Sequence, residues 1–357
     1  MSALPRLPTA SIGALAVAFA AATLCAQLRL PLPWMIGPML AVAAVRIGGW
    51  HSVGPRGGRQ AGQWIIGTAL GLYFTPPVVA RGGGIAWLLL GGALFAIALG
   101  YASGYLLARL AGTDRTTAIF ASVPGGAAEM AVLGERFGAR VDQVAAAQSL
   151  RILMVVVIVP SLFAVLGLHG ADPFAAGATD VRWLVLLTVL SGTALAGLSL
   201  QRIGVPNAFV LGALAVVIPL TASGVDSSAM PRWMLNAAQL LLGCALGSRF
   251  DRGFIARAPR FVGAVVLTVA VAMMLSAVFA GALAWATGMH PATLVLATAP
   301  GGVAEMAITA KVLELGVPVV TAFHVTRVIL LLTCTGPLFA WLRRRRRRLG
   351  PTGGPVA

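Results

Sequence analysis

Charged residues, and acidic ones above all, are scarce in this chain. Of its 357 residues, 10% are charged and ten are Asp or Glu, whereas a typical soluble domain carries about a quarter charged residues. With 59% hydrophobic residues and a mean hydropathy of +0.91, too few polar groups remain to cover a surface in contact with water. The composition excludes a soluble globular protein and predicts one embedded in a membrane.

Cysteine and histidine are also few, and their spacing excludes several kinds of site. The three cysteines lie far apart within apolar runs, and the four histidines form no His-x-x-x-His pair. Neither a disulfide framework nor a metal cluster is indicated. The sequence contains no Gly-x-x-x-x-Gly-Lys-Ser/Thr motif for a nucleotide phosphate and no recognisable nucleophile with a base. We therefore expect no metal, no cofactor and no enzymatic activity.

Long apolar runs fill the chain instead. A helix needs about 20 apolar residues to cross a bilayer. Runs of about that length cover residues 9–27, 32–50, 60–80, 84–110, 142–168, 181–200, 205–223, 232–250, 258–287 and 317–341. We interpret the first run as a retained span, because it exceeds a signal-peptide core and a second span follows at once. Two further apolar stretches, 116–134 and 292–310, are each cut by Pro-Gly-Gly, which predicts broken or re-entrant helices.

The two halves of the chain are duplicated. At an offset of 176 residues, the segments 124–131 and 300–307 align with seven of eight positions identical, and Arg151 pairs with Arg327. A match that extends over nearly the whole of each half indicates a repeated structural unit. We predict the following units: membrane repeat 1 over residues 1–170, membrane repeat 2 over residues 171–342, and a basic cytoplasmic tail over residues 343–357.

The distribution of basic residues predicts the orientation of the repeats. With five full spans and one re-entrant segment in each half, and the N-terminus in the cytoplasm, nineteen of the 26 Lys and Arg residues fall on the cytoplasmic side and five on the other. This bias agrees with the positive-inside rule. The predicted fold is therefore an all-α polytopic membrane protein with about 10 transmembrane helices plus two Pro-Gly-Gly broken or re-entrant helices. The two repeats have inverted topology, and both termini are cytoplasmic.

Each Pro-Gly-Gly interrupts a helix inside the bilayer. The backbone groups that it releases are tolerated there only where protein or water can bond them. The residues that follow each break predict helices whose N-termini carry partial positive charge, meet near the midplane and favour an anionic or polar group. A packing kink that brings helices close together is the alternative. The candidate binding residues at the breaks are Pro124, Gly125, Gly126, Pro300, Gly301 and Gly302.

Four ionisable residues lie within the apolar stretches, namely Glu129, Arg151, Glu305 and Arg327. Each costs at least about 2.5 kcal/mol if it faces lipid without a partner. The glutamate precedes the arginine by 22 residues in both halves, so one interpretation is a structural ion pair in each half. The other assigns the arginines to an anionic substrate and the glutamates to a proton or cation that titrates during transport. Both interpretations can hold, because such a pair can open when substrate arrives.

Further polar positions accompany these four. His324 corresponds to Gln148 of the first half and is either a proton-relay group or a residue with satisfied hydrogen bonds. Gln63 and Gln239 begin two Gln-x-x-x-Gly-x-x-x-Gly stripes, which predict close helix packing. Each glutamine side chain either forms a hydrogen bond across the helix interface or contacts substrate. The six arginines at 343–348 predict an anchor on an anionic leaflet rather than a nucleic-acid contact.

The duplicated Pro-Gly-Gly-x-Ala-Glu-Met-Ala, the paired arginines and the run Leu-Pro-x-Pro-Trp-Met-Ile-Gly-Pro at 30–38 carry a family resemblance. With them the chain resembles the AbrB family of bacterial integral membrane proteins over essentially its full length, which implies a place in the inner membrane. Members of that family are labelled both as regulators of gene expression and as ammonia monooxygenases. A monooxygenase would need clustered metal ligands, and a direct transcription factor a soluble DNA-reading domain. The sequence contains neither pattern.

Inverted repeats with buried charges are typical of secondary transporters. We therefore expect an ion-coupled secondary transporter of a small polar or anionic solute, with its site at the repeat interface. The alternative is a membrane-embedded regulator of gene expression that acts indirectly or through a partner. The expected partners are the lipid bilayer and a small-molecule or ion substrate, without direct contact to nucleic acid. A homo-oligomer is compatible with the sequence.

Overall fold

The computed structural model describes residues 9–49, 54–170, 180–225, 228–250 and 258–348. Within these ranges the chain is helical and contains no β-strand. The helices are α1 (Thr9–Gln27), α2 (Pro33–Ile47), α3 (Gly58–Gly71), α4 (Pro76–Gly82), α5 (Ala86–Ala111), α6 (Arg115–Ser122), α7 (Ala127–Arg136), α8 (Val141–Val165), α9 (Trp183–Arg202), α10 (Ala208–Ala222), α11 (Arg232–Gly247), α12 (Pro259–Thr287), α13 (Pro291–Thr298), α14 (Val303–Val312) and α15 (Val317–Arg348). A 3₁₀ turn, Gly83–Ile85, joins α4 to α5.

Five helices are long and apolar enough to cross a membrane, namely α5, α8, α9, α12 and the Val317–Thr335 part of α15. The apolar helices α1, α2 and α10 are shorter. With 15 residues, α2 rises about 22 Å, which is less than the hydrocarbon thickness of about 30 Å. The prediction of a helical chain with several apolar helices long enough to cross a membrane is therefore confirmed, and it is consistent with a multi-pass membrane protein. The count of ten spans stays a prediction.

Large apolar side chains face outward on the long helices. Leu184 of α9 is 82% exposed and Trp285 of α12 is 89% exposed, as only a lipid environment would favour. Tryptophans near the ends of proposed spans are exposed as well, as expected for rings at the membrane interface. They are Trp87, Trp183, Trp233, Trp285 and Trp341, while Trp50 lies outside the described residues.

The helices pack into two groups. The first helix group contains α1, α2, α3, α9, α10 and α11, in which α2 packs between α1 and α11, and α10 packs between α9 and α3. The second helix group contains α5 to α8 and α12 to α15, with α5 against α12 at its centre. The groups meet where α3 contacts α14 and α15, and where α2 contacts α8. This junction places the ends of the broken helices opposite α3.

Small residues let the helices of the first group approach closely. A Cβ atom added at Gly243 of α11 would lie 2.5 Å from the carbonyl oxygen of Met35 in α2. One added at Gly67 of α3 would lie 3.0 Å from the Cα atom of Val210 in α10. The close packing predicted for the two Gln-x-x-x-Gly-x-x-x-Gly stripes is confirmed at both places.

One predicted repeat boundary lies inside a helix, and the other adjoins residues outside the described part of the chain. Helix α15 runs without interruption to Arg348, so the boundary between repeat 2 and the basic tail at 342/343 lies inside a helix. The boundary at 170/171 adjoins residues 171–179, which lie outside the described part of the chain, as do the tail residues after 348.

Candidate functional site

Each Pro-Gly-Gly ends one helix and starts another. A proline disfavours the α conformation in the residue before it, and Val123 and Ala299 accordingly have extended ψ angles of 127° and 141°. Helices α6 and α13 therefore end just before them. The glycines that follow are extended too, and α7 and α14 begin at Ala127 and Val303. Both stretches that the sequence marks as broken are thus two short helices joined at the Pro-Gly-Gly.

The glycines at the breaks leave room for the side chains of the following helices. Gly126 and Gly302 have φ angles of −69° and −86°, which any residue can adopt. A Cβ atom at Gly126 would overlap the carboxylate of Glu129, and one at Gly302 would overlap that of Glu305. The carboxylates therefore lie directly over the glycines that precede their helices.

The two buried arginines bond to the carbonyl groups that the breaks release. Arg151 donates from Nη1 to the carbonyl oxygen of Val123 at 3.2 Å and from Nη2 to that of Gly125 at 3.1 Å. Arg151 and Arg327 are each 4% exposed. Arg327 donates from Nη1 to the carbonyl oxygen of Ala299 at 2.8 Å and from Nη2 to that of Gly301. These bonds supply the partners that backbone groups need inside a bilayer.

Gln148 and His324, on α8 and α15, form hydrogen bonds to carbonyl oxygens near the ends of the short helices α6 and α13. Gln148 donates from Nε2 to the carbonyl oxygens of Phe120 and Val123, each at 2.8 Å. His324 Nε2 lies 2.9 Å from the carbonyl oxygen of Leu296, and because a carbonyl only accepts, Nε2 carries the proton. The ring is fully buried, and its Nδ1 has no partner among the described residues. The bond matches the alternative of a hydrogen-bonded residue, and a proton relay through His324 stays a prediction.

The ion pairs that the spacing suggests are not formed among the described residues. The guanidinium groups of Arg151 and Arg327 donate to carbonyl oxygens, and Glu129 Oε2 is buried without a hydrogen-bond partner. Glu129 and Glu305 instead lie in the first turns of α7 and α14. The partial positive charge of a helix N-terminus favours a carboxylate there.

Both breaks line one cavity at the junction of the two helix groups, with an empty volume of about 520 Å³ that includes space open to solvent. The first helix group and its connections contribute polar side chains from Arg59, Gln63, Asn207 and Arg249. The second helix group contributes both Gly-Gly pairs together with Arg151, Glu305 and Arg327. The fold thus brings together most of the candidate residues, while Pro300, His324 and Glu129 are not part of the cavity lining.

Positive charge dominates this cavity. Four arginines and one glutamate line it, and neither α7 nor α14 has a side-chain hydrogen bond capping its N-terminus. Among the described residues, Nη1 of Arg249 and the Nε atoms of Arg151 and Arg327 are buried without partners. A concave surface of one sign and low dielectric raises the local concentration of the opposite charge. The cavity is therefore suited to an anion.

Arg59 and Arg249 are site residues that the sequence alone did not single out. Both lie near helix ends, where a basic residue is ordinarily a topology signal. The repeat holds a clue, since at the offset of 176 Arg59 pairs with Leu235 and Arg249 pairs with Tyr73. A charge present in one copy and replaced by an apolar or aromatic residue in the other indicates a role outside the shared fold.

Gln63 forms the predicted hydrogen bond from a side-chain amide across a helix interface. Its Nε2 donates to Oδ1 of Asn207 at 3.1 Å, and both side chains line the cavity. Asn207 has a left-handed φ of 51°, which asparagine tolerates better than most residues. The amide pair thus fixes the start of α10 against α3 beside the arginines.

A more open groove reaches Glu129 from the other side. It has an empty volume of about 770 Å³ and is lined by residues of α7 and of the loop before α10, including Arg136, Gly204 and Pro206. Glu129 therefore lies between this groove and the cavity. Within the described residues, no three His, Cys, Asp or Glu side chains are grouped to hold a metal ion.

Five apolar helices long enough to cross a membrane and a charged cavity between the helix groups are consistent with a multi-pass helical membrane protein. The chain belongs to the AbrB family, whose model, described as "Transition state regulatory protein AbrB", matches residues 34–343. The resemblance carried by the duplicated motif is thereby confirmed.

Two curated relatives are similar to the chain over most of its length. "Uncharacterized protein YhjN" of Bacillus subtilis (strain 168) is 29% identical over 341 residues, which cover 87% of each chain. "Putative regulator AbrB" of Escherichia coli (strain K12) is 26% identical over 316 residues, which cover 87% of this chain and 90% of the relative.

Proposed function

We propose that the chain is an ion-coupled secondary transporter of a small polar or anionic solute. The observation that carries the proposal is that both Pro-Gly-Gly breaks line a single cavity between the two helix groups. Discontinuous helices whose N-termini point at one midplane site are a common arrangement in secondary transporters. Because the sequence has no nucleotide-binding motif, an ion gradient would supply the driving force.

The packing supports the inverted-repeat part of the proposal. Contacts between α2 and α11 recur between the corresponding helices α10 and α3, and those between α5 and α15 recur between α12 and α8. The pairs α3–α11 and α5–α12 each join two corresponding helices, as contacts on a two-fold axis do. An odd number of spans in each repeat gives the two copies opposite orientations.

The proposed topology puts both termini in the cytoplasm and the chain in the bacterial inner membrane. In this orientation Arg59, Arg136 and Arg249 lie at the cytoplasmic side, and the groove beside Glu129 opens there. The described conformation would then bind and release solute on the cytoplasmic side. Movement of the second helix group against the first would transfer access to the other side.

The buried side chains divide the work of this mechanism. Arg151 and Arg327 hold the broken backbone through their carbonyl contacts, so that the helix N-termini stay open toward the cavity. Glu129, which has an unpartnered carboxylate oxygen, and Glu305 would carry the coupling proton or cation. Solute would bind between the two breaks, and we propose no enzymatic step.

The test begins by identifying the solute. Metabolites that differ between cells lacking and cells overproducing the protein are tested for uptake into vesicles that contain the purified chain. We expect uptake that depends on an ion gradient and is lost when Glu129→Gln and Glu305→Gln are combined. Glu135→Gln, an exposed site on the same helix as Glu129, is the matched control. Uptake unchanged by the double substitution would contradict the mechanism.

A second function, membrane-embedded regulation of gene expression, draws its support from the names of the family and of the Escherichia coli relative. A regulator that acts through the level of a transported solute needs the same cavity. A regulator that acts through a bound partner does not. If the cavity variants that abolish uptake leave the expression changes intact, the second form is favoured.

A further inference from the structure

The charges around the cavity do not balance. Arg59, Arg151, Arg249 and Arg327 line it, and the nearby carboxylates are those of Glu305, in the wall, and Glu129, at the start of α7. Among the described residues, these four positive and two negative side chains give an excess of two positive charges. Unpaired charge is costly in a site of low dielectric, so the cavity as described lacks its counter-charge.

The hydrogen-bond donors that remain free can be assigned to particular side chains. Arg151 and Arg327, each 4% exposed, are held by carbonyl oxygens at the breaks. In contrast, Arg249 has a buried Nη1 without a partner, and no described residue accepts a hydrogen bond from the guanidinium of Arg59. Glu305 and Glu129 attract Arg249 electrostatically without a hydrogen bond among the described residues, and Arg59 repels it. Arg59 and Arg249 therefore have donors free to bind a ligand.

The opposite wall also offers unused donors. The buried Nε atoms of Arg151 and Arg327 are unpartnered among the described residues, and these arginines belong to the cavity lining. The cap residues of α7 and α14 are glycines, which supply no side-chain cap, although the carboxylates of Glu129 and Glu305 lie beside them. Uncapped N–H groups at a helix start bind oxyanions. A ligand held by Arg59 and Arg249 on one side would meet these donors on the other.

We propose that the cavity binds a compact dianion, such as a short dicarboxylate or a tetrahedral oxyanion, with Arg59 and Arg249 as its principal ligands. The inference rests on the proposed function and gives the transported solute a chemical class. Guanidinium groups suit this class because each presents donors in a planar fork that matches carboxylate, sulfate and phosphate oxygens. Two arginines on one wall favour two negative charges over one.

The repeat itself suggests the variants that test this site. Arg59→Leu and Arg249→Tyr each introduce the residue that the other copy carries at the corresponding position, so both side chains are already tolerated in this fold. Arg59→Gln and Arg249→Gln remove the charge with a smaller change of polarity. Arg202→Gln, at the exposed end of α9 and away from the cavity lining, is the matched control.

The experiment measures thermal unfolding of the purified full chain in detergent with sulfate, hydrogen phosphate, succinate, acetate and nitrate at equal ionic strength. A ligand that binds the folded state raises the midpoint according to its affinity. We expect at least one dianion to raise it more than either monoanion does. The apparent affinity for that dianion should fall at least about tenfold in each of the Arg59 and Arg249 variants and stay unchanged in Arg202→Gln.

The three dianions separate the sources of the shared chemistry, because succinate identifies a dicarboxylate site and sulfate or phosphate an inorganic one. General salt stabilisation would persist in the Arg59 and Arg249 variants and overturn the proposal, as would the lack of any dianion effect. Vesicle uptake tests transport separately. A dianion bound through these arginines but not moved would uphold the site and contradict the transporter. Gradient-driven uptake of a monoanion or neutral solute without dianion binding would uphold the transporter and contradict the dianion site.

Discussion

Replacing Arg327 by glutamine should destabilise the protein through the backbone of the second break. The substitution removes the donors to the carbonyl oxygens of Ala299 and Gly301 and leaves both groups buried in the second helix group. A hydrogen bond that involves a charged group contributes about 1.5–3 kcal/mol. Removal of the buried charge recovers part of its own desolvation cost. We therefore expect a net loss of about 2–4 kcal/mol in the free energy of unfolding.

The loss can be measured with a buried thiol as the reporter. Cys244 is fully buried, whereas Cys25 and Cys334 are partly exposed and are replaced by serine. A maleimide dye that becomes fluorescent on reaction then reports unfolding through Cys244. For 357 residues the unfolding entropy is about 0.75 kcal/mol/K, so a loss of this size should lower the midpoint by roughly 3–5 °C. The control Arg202→Gln should leave it unchanged.

The same substitution at Arg151 should have a similar effect, because its two bonds to Val123 and Gly125 repeat the arrangement. If Arg151→Gln and Arg327→Gln both unfold at the wild-type temperature but abolish solute uptake, the arginines act on substrate and not on the backbone. That result would refute their structural role. A lowered midpoint in both variants would support it.

Two further predictions concern packing and topology. Gly243→Ala should lower the thermal midpoint in the same dye assay, since its Cβ would lie 2.5 Å from the carbonyl oxygen of Met35. The control Gly281→Ala, whose Cβ would meet no atom within 4 Å, should leave stability unchanged or slightly raised. Equal effects of the two substitutions would contradict the close contact of α2 and α11. A reporter fused to the C-terminus should be active only if it functions in the cytoplasm, and activity confined to the other side would overturn the proposed orientation.

Several features of the fold could be predicted because they depend on local sequence. A proline disfavours the α conformation in the residue before it, and two glycines after it weaken the helix further, so the sequence predicts that α6 and α13 end at Pro124 and Pro300. Pro160, which no glycine pair follows, leaves α8 unbroken. Apolar runs of sufficient length form helices in any arrangement of their neighbours. The duplicated motif likewise required no knowledge of packing, and the family match confirms the family resemblance that it carried.

The partners of buried side chains could not be predicted in the same way. A constant spacing of 22 residues suggested that Glu129 would pair with Arg151, yet the guanidinium reaches carbonyl oxygens of the break. The spacing specifies how far apart two residues lie along the chain. The rotation of α8 about its axis determines which neighbour its side chain meets, and that rotation is set by packing against α6, α7 and α12.

By itself the sequence determined a membrane-embedded, duplicated, helical chain with a break in each half, because composition and proline act locally. Only the tertiary structure decided that the two breaks open into one cavity and that Arg59 and Arg249 join them there. The physical reason is that α3 and the end of α11 belong to one helix group and the breaks to the other. Their meeting depends on how the groups dock, which no stretch of sequence encodes alone.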